Sequence, residues 1–104
     1  MALQSLDGRV AVVTGASRGI GRAAALALAE AGAHVVAVAR TQGALEELDD
    51  EIRRIGGSAT LVPLDLKDFD AIDRLGGAIH ERWGKLDILI GNAGVLGEIG
   101  RAHV

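Results

Sequence analysis

The residues Thr14-Gly15-Ala16-Ser17-Arg18-Gly19-Ile20-Gly21 are the part of this 104-residue sequence whose types and spacing could do chemistry. Gly15 lets the backbone turn sharply. Gly19 places no side chain between the backbone and an approaching pyrophosphate, and Gly21 allows a following helix to pack closely on a sheet. A helix opening at this point aims free N–H groups and a partial positive charge at phosphate oxygens. Ser17, Arg18 and Ile20 ride in the same turn and are expected to share the binding with the three glycines. A glycine-rich turn without a ligand could carry the same residues, so the elements on either side decide between the two readings. No Lys-Ser or Lys-Thr pair follows the last glycine, which excludes a triphosphate loop and leaves a dinucleotide as the expected ligand.

A second position with chemical content is Ala39-Arg40-Thr41. In a dinucleotide-binding sheet, a carboxylate at the end of the second strand bonds the adenosine ribose hydroxyls and repels a 2′-phosphate. Here the carboxylate is absent and Arg40 follows. Arg18 can approach the same region, and two guanidinium groups near one phosphate favour the phosphorylated coenzyme. The competing reading is two solvated surface arginines. NADP(H) is therefore expected in preference to NAD(H), with Arg40 and Thr41 among the binding residues.

The elements that must position these residues alternate along the chain. Val10–Val13 is a short β-branched run of the kind buried on both faces of a parallel sheet. Ile20–Ala31 follows as a helix, with Ile20, Ala23, Ala24, Ala27, Leu28 and Ala31 as its expected apolar stripe. Val35–Val38 is the second strand. The second helix runs from about Gln42 to Ile55 with Leu45, Leu48, Ile52 and Ile55 on one face. The third strand is Ala59–Leu64, with Pro63 suiting a strand end or a sheet edge. The third helix starts near Asp68 and carries Ile72, Leu75, Ile79 and Trp83; Gly76-Gly77 weakens its middle by roughly 1 kcal/mol per glycine relative to alanine. Leu86–Ile90 is the fourth strand. Helical crossovers make neighbouring strands parallel, and the right-handed rule gives the spatial order 3-2-1-4. The expected fold class is α/β, a doubly wound parallel sheet (Rossmann fold) truncated after the fourth strand, with its switch point between strands 1 and 4.

Thr14–Gly21 matches the TGxxxGxG turn of the short-chain dehydrogenase/reductase family at every fixed position, and the chain resembles that family from about Leu6 to Leu96. Asp65-Leu66 falls at the end of the third strand, where the resemblance implies an acidic contact to the adenine; the alternative is a helix cap. Gly91-Asn92-Ala93-Gly94 falls at the end of the fourth strand, where the family usually reads NNAG. The resemblance gives Asn92 a mainly structural role, tying strand 4 to its neighbours, beside Ala93 and Gly94. Gly91 replaces the first asparagine, and little harm is expected. The stretch Trp83-Gly84-Lys85-Leu86-Asp87-Ile88-Leu89-Ile90 is similar to the family as well. NAD-preferring members carry Asp about where Ala39 stands. The implied activity is hydride transfer on a small carbonyl or alcohol substrate, by a protein that is a homo-oligomer at full length.

The family's acid–base step uses a serine, a tyrosine and a lysine beyond the tyrosine. This chain has no tyrosine, and Lys67 and Lys85 are its only lysines, neither in such a motif. His34, His80 and His103 are scattered and expected on the surface. No catalytic residue and no metal site are expected in the chain, and without cysteine neither a thiolate metal site nor a cysteine nucleophile is possible. Residues 1–98 are expected to be a partial dinucleotide-binding domain. Ile99–Val104 is expected to be a non-native tail, because it matches the translation of a common sequencing-adapter sequence. A net charge of −3 without a basic cluster disfavours nucleic acid. No apolar run approaches the ~20 residues of a membrane span, so no membrane partner is expected and the location is expected to be cytoplasmic. Two other readings compete: a stand-alone, non-catalytic dinucleotide-binding module, and a doubly wound methyltransferase. Ending on an apolar central strand disfavours the first, and Ala39-Arg40 at the end of the second strand disfavours the other.

Overall fold

Each apolar run becomes a strand, and each intervening amphipathic run a helix, in the computed structural model, which describes residues 6–17 and 19–91. The strands are β1 (Val10–Thr14), β2 (His34–Ala39), β3 (Ser58–Pro63) and β4 (Ile88–Ile90); the helices are α1 (Gly19–Glu30), α2 (Gln42–Arg54) and α3 (Phe69–Trp83). The strands form one parallel sheet in the order β3-β2-β1-β4, as the crossover rule requires. Val12 lies between Val36 and Leu89, and Ala39 lies beside Pro63 at the β3 edge. Two crossovers lead outward from β1 and the third returns past it, which sets the switch point between β1 and β4.

Alternation along the strands divides the core in two. Val13, Val35, Ala37 and Ala39 pack with Ala25 and Ala29 of α1 and Leu45, Leu48 and Ile52 of α2. Val10, Val12, Val36 and Val38 pack on the other face with Ile72, Leu75 and Ile79 of α3. β1 and nearly all of β2 are buried, which accounts for their unbroken apolar sequences. β3 and β4 are largely half-buried.

Three details differ from the sequence reading. In α1 the buried positions are Ala25 and Ala29, whereas Ala23 and Ala27 are exposed and Ile20 is 87% exposed. This helix is apolar nearly all round, so hydrophobicity offers no contrast to fix its face. Close approach fixes it instead: Gly21, Ala25 and Ala29 recur at helical spacing, and a Cβ on Gly21 would overlap the Gly15 carbonyl. In α2 the helix ends at Arg54, and Ile55 is a C-cap residue left 47% exposed. β4 begins at Ile88 rather than Leu86. Leu86 packs in the α3-side core, and Asp87 clamps β1. Val10 N–H donates to Asp87 Oδ2 at 2.7 Å, and Asp87 N–H donates to the Val10 carbonyl at 3.0 Å. The Val10 hydrogen bond first, with Lys85 at 3.3 Å and Arg9 at 3.5 Å, holds the Asp87 carboxyl below its ordinary range.

The ends of α3 follow capping rules. Asp68 accepts from the Ala71 N–H at 3.1 Å, and Gly84, at φ 71°, closes the helix through its N–H to the His80 carbonyl at 2.8 Å. At the N-terminal end of the sheet, His34 Nδ1 lies 2.8 Å from Ser58 Oγ and Nε2 lies 2.8 Å from Thr60 Oγ1. The His34 ring also meets Trp83, with centroids 5.2 Å apart, and the Arg82 guanidinium sits 4.9 Å over the indole. Among the described residues, no helix is long and apolar enough to cross a membrane.

Candidate functional site

The glycine turn begins where β1 ends. Gly15 and Gly19 take φ of 65° and 61°, in the left-handed region that favours glycine. A Cβ at either position would meet nothing within 4 Å, so their backbones border open space and conformation is what calls for glycine. Ala16 between them is buried, and its N–H donates to the Val38 carbonyl at 3.2 Å. That bond staples the turn to the end of β2. α1 opens at Gly19, so its free N–H groups lie at the turn.

Beside the turn, across the C-terminal ends of β1, β2 and β3, is a cavity of about 350 Å³. Gly15 and Ser17 line it from the turn, Ala39, Arg40 and Thr41 from the end of β2, and Asp65, Leu66 and Lys67 from beyond β3. Leu64 N–H donates to the Ala39 carbonyl at 2.9 Å, which holds the last two groups abreast. The Asp65 carboxylate accepts from the Lys67 N–H at 2.9 Å, and the Asp65 carbonyl accepts from the Asp68 N–H at 2.9 Å. This is a tight turn with Leu66 and Lys67 at its tip. The cap of α3 is Asp68, so Asp65 does not serve as the helix cap. Thr41 is the N-cap residue of α2 but makes no side-chain cap bond.

The structure thus gathers Gly15, Ser17, Arg40, Thr41, Asp65 and Leu66 around one cavity. Gly19, Ile20 and Gly21 form the first turn of α1 and do not line it. Arg18, Asn92, Ala93 and Gly94 lie outside the described residues. Three residues at the site were not marked as binding residues by sequence reasoning. Ala39 and Lys67 line the cavity, and Thr14 Oγ1 donates to the Ile90 carbonyl at 3.3 Å across the switch point. No local pattern marks Lys67, because a lysine in a turn is ordinary in sequence. Gly91 sits so close to Thr14 that a Cβ there would overlap its hydroxyl.

The arrangement offers a glycine-lined turn at a helix N-terminus for a diphosphate, with an adjoining cavity for a nucleoside. Arg40 and Lys67 are the cations of its lining and Asp65 is the carboxylate. Among the described residues no cluster of His, Cys, Asp or Glu could hold a metal ion.

A family model described as short chain dehydrogenase matches residues 9–103. A fatty acyl-CoA reductase from Acinetobacter baylyi is 48% identical over 91 residues, covering 88% of this chain and 31% of the reductase. A metagenomic short-chain oxidoreductase solved in complex with NADP superposes with a TM-score of 0.82 at 45% identity, over 86% of this chain and 40% of that one. Carveol dehydrogenase from Mycobacterium avium, solved in complex with NAD, superposes with a TM-score of 0.75 at 30% identity, over 86% of this chain and 36% of that one. The chain spans between 27% and 37% of the length of several of the most similar curated relatives, among them this reductase.

Proposed function

The chain belongs to the short chain dehydrogenase family, and from that membership we propose that it is the coenzyme-binding portion of an oxidoreductase that takes NADP(H) in preference to NAD(H). The observation that carries the preference is the wall of the cavity at the end of β2, which reads Ala39-Arg40-Thr41 and holds no carboxylate. A ribose diol would be left without its acceptor there, whereas a 2′-phosphate meets a guanidinium. Relatives are solved with either coenzyme, so the preference rests on these residues rather than on the fold.

In this reading Gly15, Ser17, Arg18, Gly19, Ile20 and Gly21 hold the pyrophosphate at the start of α1. Arg40 and Thr41, with Arg18, receive the 2′-phosphate, and Asp65 and Leu66 meet the adenine. Asn92 ties strand 4 to its neighbours, next to Ala93 and Gly94. When bound, the nicotinamide supplies or accepts the hydride exchanged with a small carbonyl or alcohol. The chain contains no tyrosine, so the proton on the substrate oxygen is assigned to the part of the full-length protein that these 104 residues do not include.

The test is coenzyme binding by the full-length protein. Arg40→Asp removes charge-assisted hydrogen bonds of about 1.5–3 kcal/mol and adds a repelling carboxylate. NADPH affinity should fall more than about tenfold, since about 1.4 kcal/mol is a factor of ten, while NADH affinity is spared. Equal loss for both coenzymes would overturn the preference.

A further inference from the structure

Lys67 belongs to no motif that the sequence displays, yet it lines the same cavity as Arg40. Two facts place it there. The register runs Ala39 beside Pro63, and the Leu64 N–H to Ala39 carbonyl bond carries that pairing one residue past the strand. The chain then turns tightly from Asp65 to Asp68, with the Asp65 carboxylate held by the Lys67 N–H, and this fixes Lys67 at the tip of the turn on the cavity rim. Neighbouring parallel strands lie about 4.8 Å apart, so Arg40 and the Lys67 turn reach one cavity from beyond adjacent strand ends.

The charges around this rim are unbalanced. Neither Arg40 nor Lys67 makes an ion pair among the described residues; the ion pairs there involve Arg9, Arg22, Arg53 and Lys85. The carboxylates nearest in sequence have other work: Asp65 accepts from the Lys67 backbone and Asp68 caps α3. A phosphate monoester carries about −1.5 to −2 charge near neutral pH. Arg40 and Lys67 are the two cations of the cavity lining, and an ammonium there adds to the positive field that favours such a group over an uncharged ribose.

We propose that Lys67 is a specificity residue for the phosphorylated coenzyme, supplying from the β3–α3 turn a further positive charge to the 2′-phosphate that Arg40 meets from the end of β2. This rests on the NADP(H) reading above and assigns to it a residue outside the glycine turn and outside the β2 end. Lysine suits the position because its ammonium acts as a mobile point charge and does not require the fixed fork geometry of arginine.

The experiment uses the full-length protein and two adenosine probes, adenosine 2′,5′-bisphosphate and 5′-AMP, with Kd measured by calorimetry at two salt concentrations. Lys67→Gln should weaken the bisphosphate about tenfold, leave 5′-AMP unchanged, and flatten the salt dependence of the bisphosphate. Lys67→Arg should keep most of the affinity, and Lys67→Glu should lose more than Lys67→Gln. A wild-type preference for the bisphosphate that survives Lys67→Gln intact would overturn the role of Lys67 and leave the NADP(H) reading standing. Equal weakening of both probes would also overturn it, because it would mark a contact to the adenosine or a folding defect. A wild-type protein that binds both probes equally would remove the NADP(H) reading and this inference together.

Discussion

One methyl group separates Gly21 from alanine, and the backbone of Gly15 leaves no room for it. A Cβ at Gly21 would overlap the Gly15 carbonyl oxygen and lie 3.3 Å from the Thr14 carbonyl oxygen. The obstacle is backbone in a turn already fixed by two left-handed glycines, so α1 itself would have to move away from β1. Gly21→Ala should therefore destabilise the full-length protein by about 1–3 kcal/mol, the usual cost of overpacking, and should weaken pyrophosphate binding. Gly43→Ala is the control, since a Cβ there meets nothing within 4 Å in α2 and alanine is the better helix former. Urea midpoints for the two variants check this; an unchanged midpoint for Gly21→Ala would show that α1 adjusts freely. At this scale the turn glycines were legible because left-handed backbone and close approach call for glycine, and the place of Arg40 was legible because it follows directly on an apolar strand. Lys67 was not, because a lysine in a turn is ordinary until the fold sets it beside Arg40.

His34 shows what an element boundary can hold. It opens β2, and its ring is bonded by Ser58 and Thr60 of β3 and covered by Trp83 of α3, with Arg82 stacked behind the indole. Burial first, and then the positive charge of Arg82, keep the imidazole below its ordinary value of 6.5. In the folded state His34 is thus neutral where the unfolded chain already takes up a proton. Its contribution to stability is intact above pH 6.5 and is lost as pH falls from there toward the lower folded value. Wild-type stability should decline as the medium is acidified through that window, and His34→Gln should flatten the decline even if it lowers stability at neutral pH. Denaturant midpoints on either side of 6.5 test the sign; a parallel decline in both proteins would assign it to other groups. The sequence reading put this histidine on the surface, because the cross-strand and helix partners that half-bury it are distant in sequence.

At the scale of the whole molecule the two outer strands are unequal in their protection. β3 ends the sheet with Pro63 at its last position, whereas β4 is apolar throughout and is hydrogen-bonded only to β1 among the described residues. One helix, α3, packs on its face of the sheet where α1 and α2 share the other. The relatives are roughly three times as long as this chain. An unprotected apolar edge templates pairing with other chains, and strands built for burial on both faces tolerate exposure poorly. The 104-residue chain by itself should therefore run as oligomers or as a loosely packed state in size-exclusion chromatography and melt without a sharp transition. A monomeric peak with a cooperative unfolding transition would contradict this and favour a stand-alone binding module.

The sequence by itself determined the element order, the parallel 3-2-1-4 sheet and the glycine turn at its switch point. Each of these follows from local patterns: β-branched runs, crossover length, handedness, and glycines where only glycine fits. Within α2 and α3 it also found most of the buried residues, because polar and apolar positions contrast there. Tertiary structure alone decided three other matters. It turned α1 onto Ala25 and Ala29, since an all-apolar helix has no preferred face until small residues meet the sheet. It shortened β4 and used Asp87 to bind the start of β1. It set Arg40 and Lys67, from different loops, on the rim of one cavity. The reason is common to all three: each depends on the distance between groups far apart in the chain, and a distance of that kind has no signature in local periodicity.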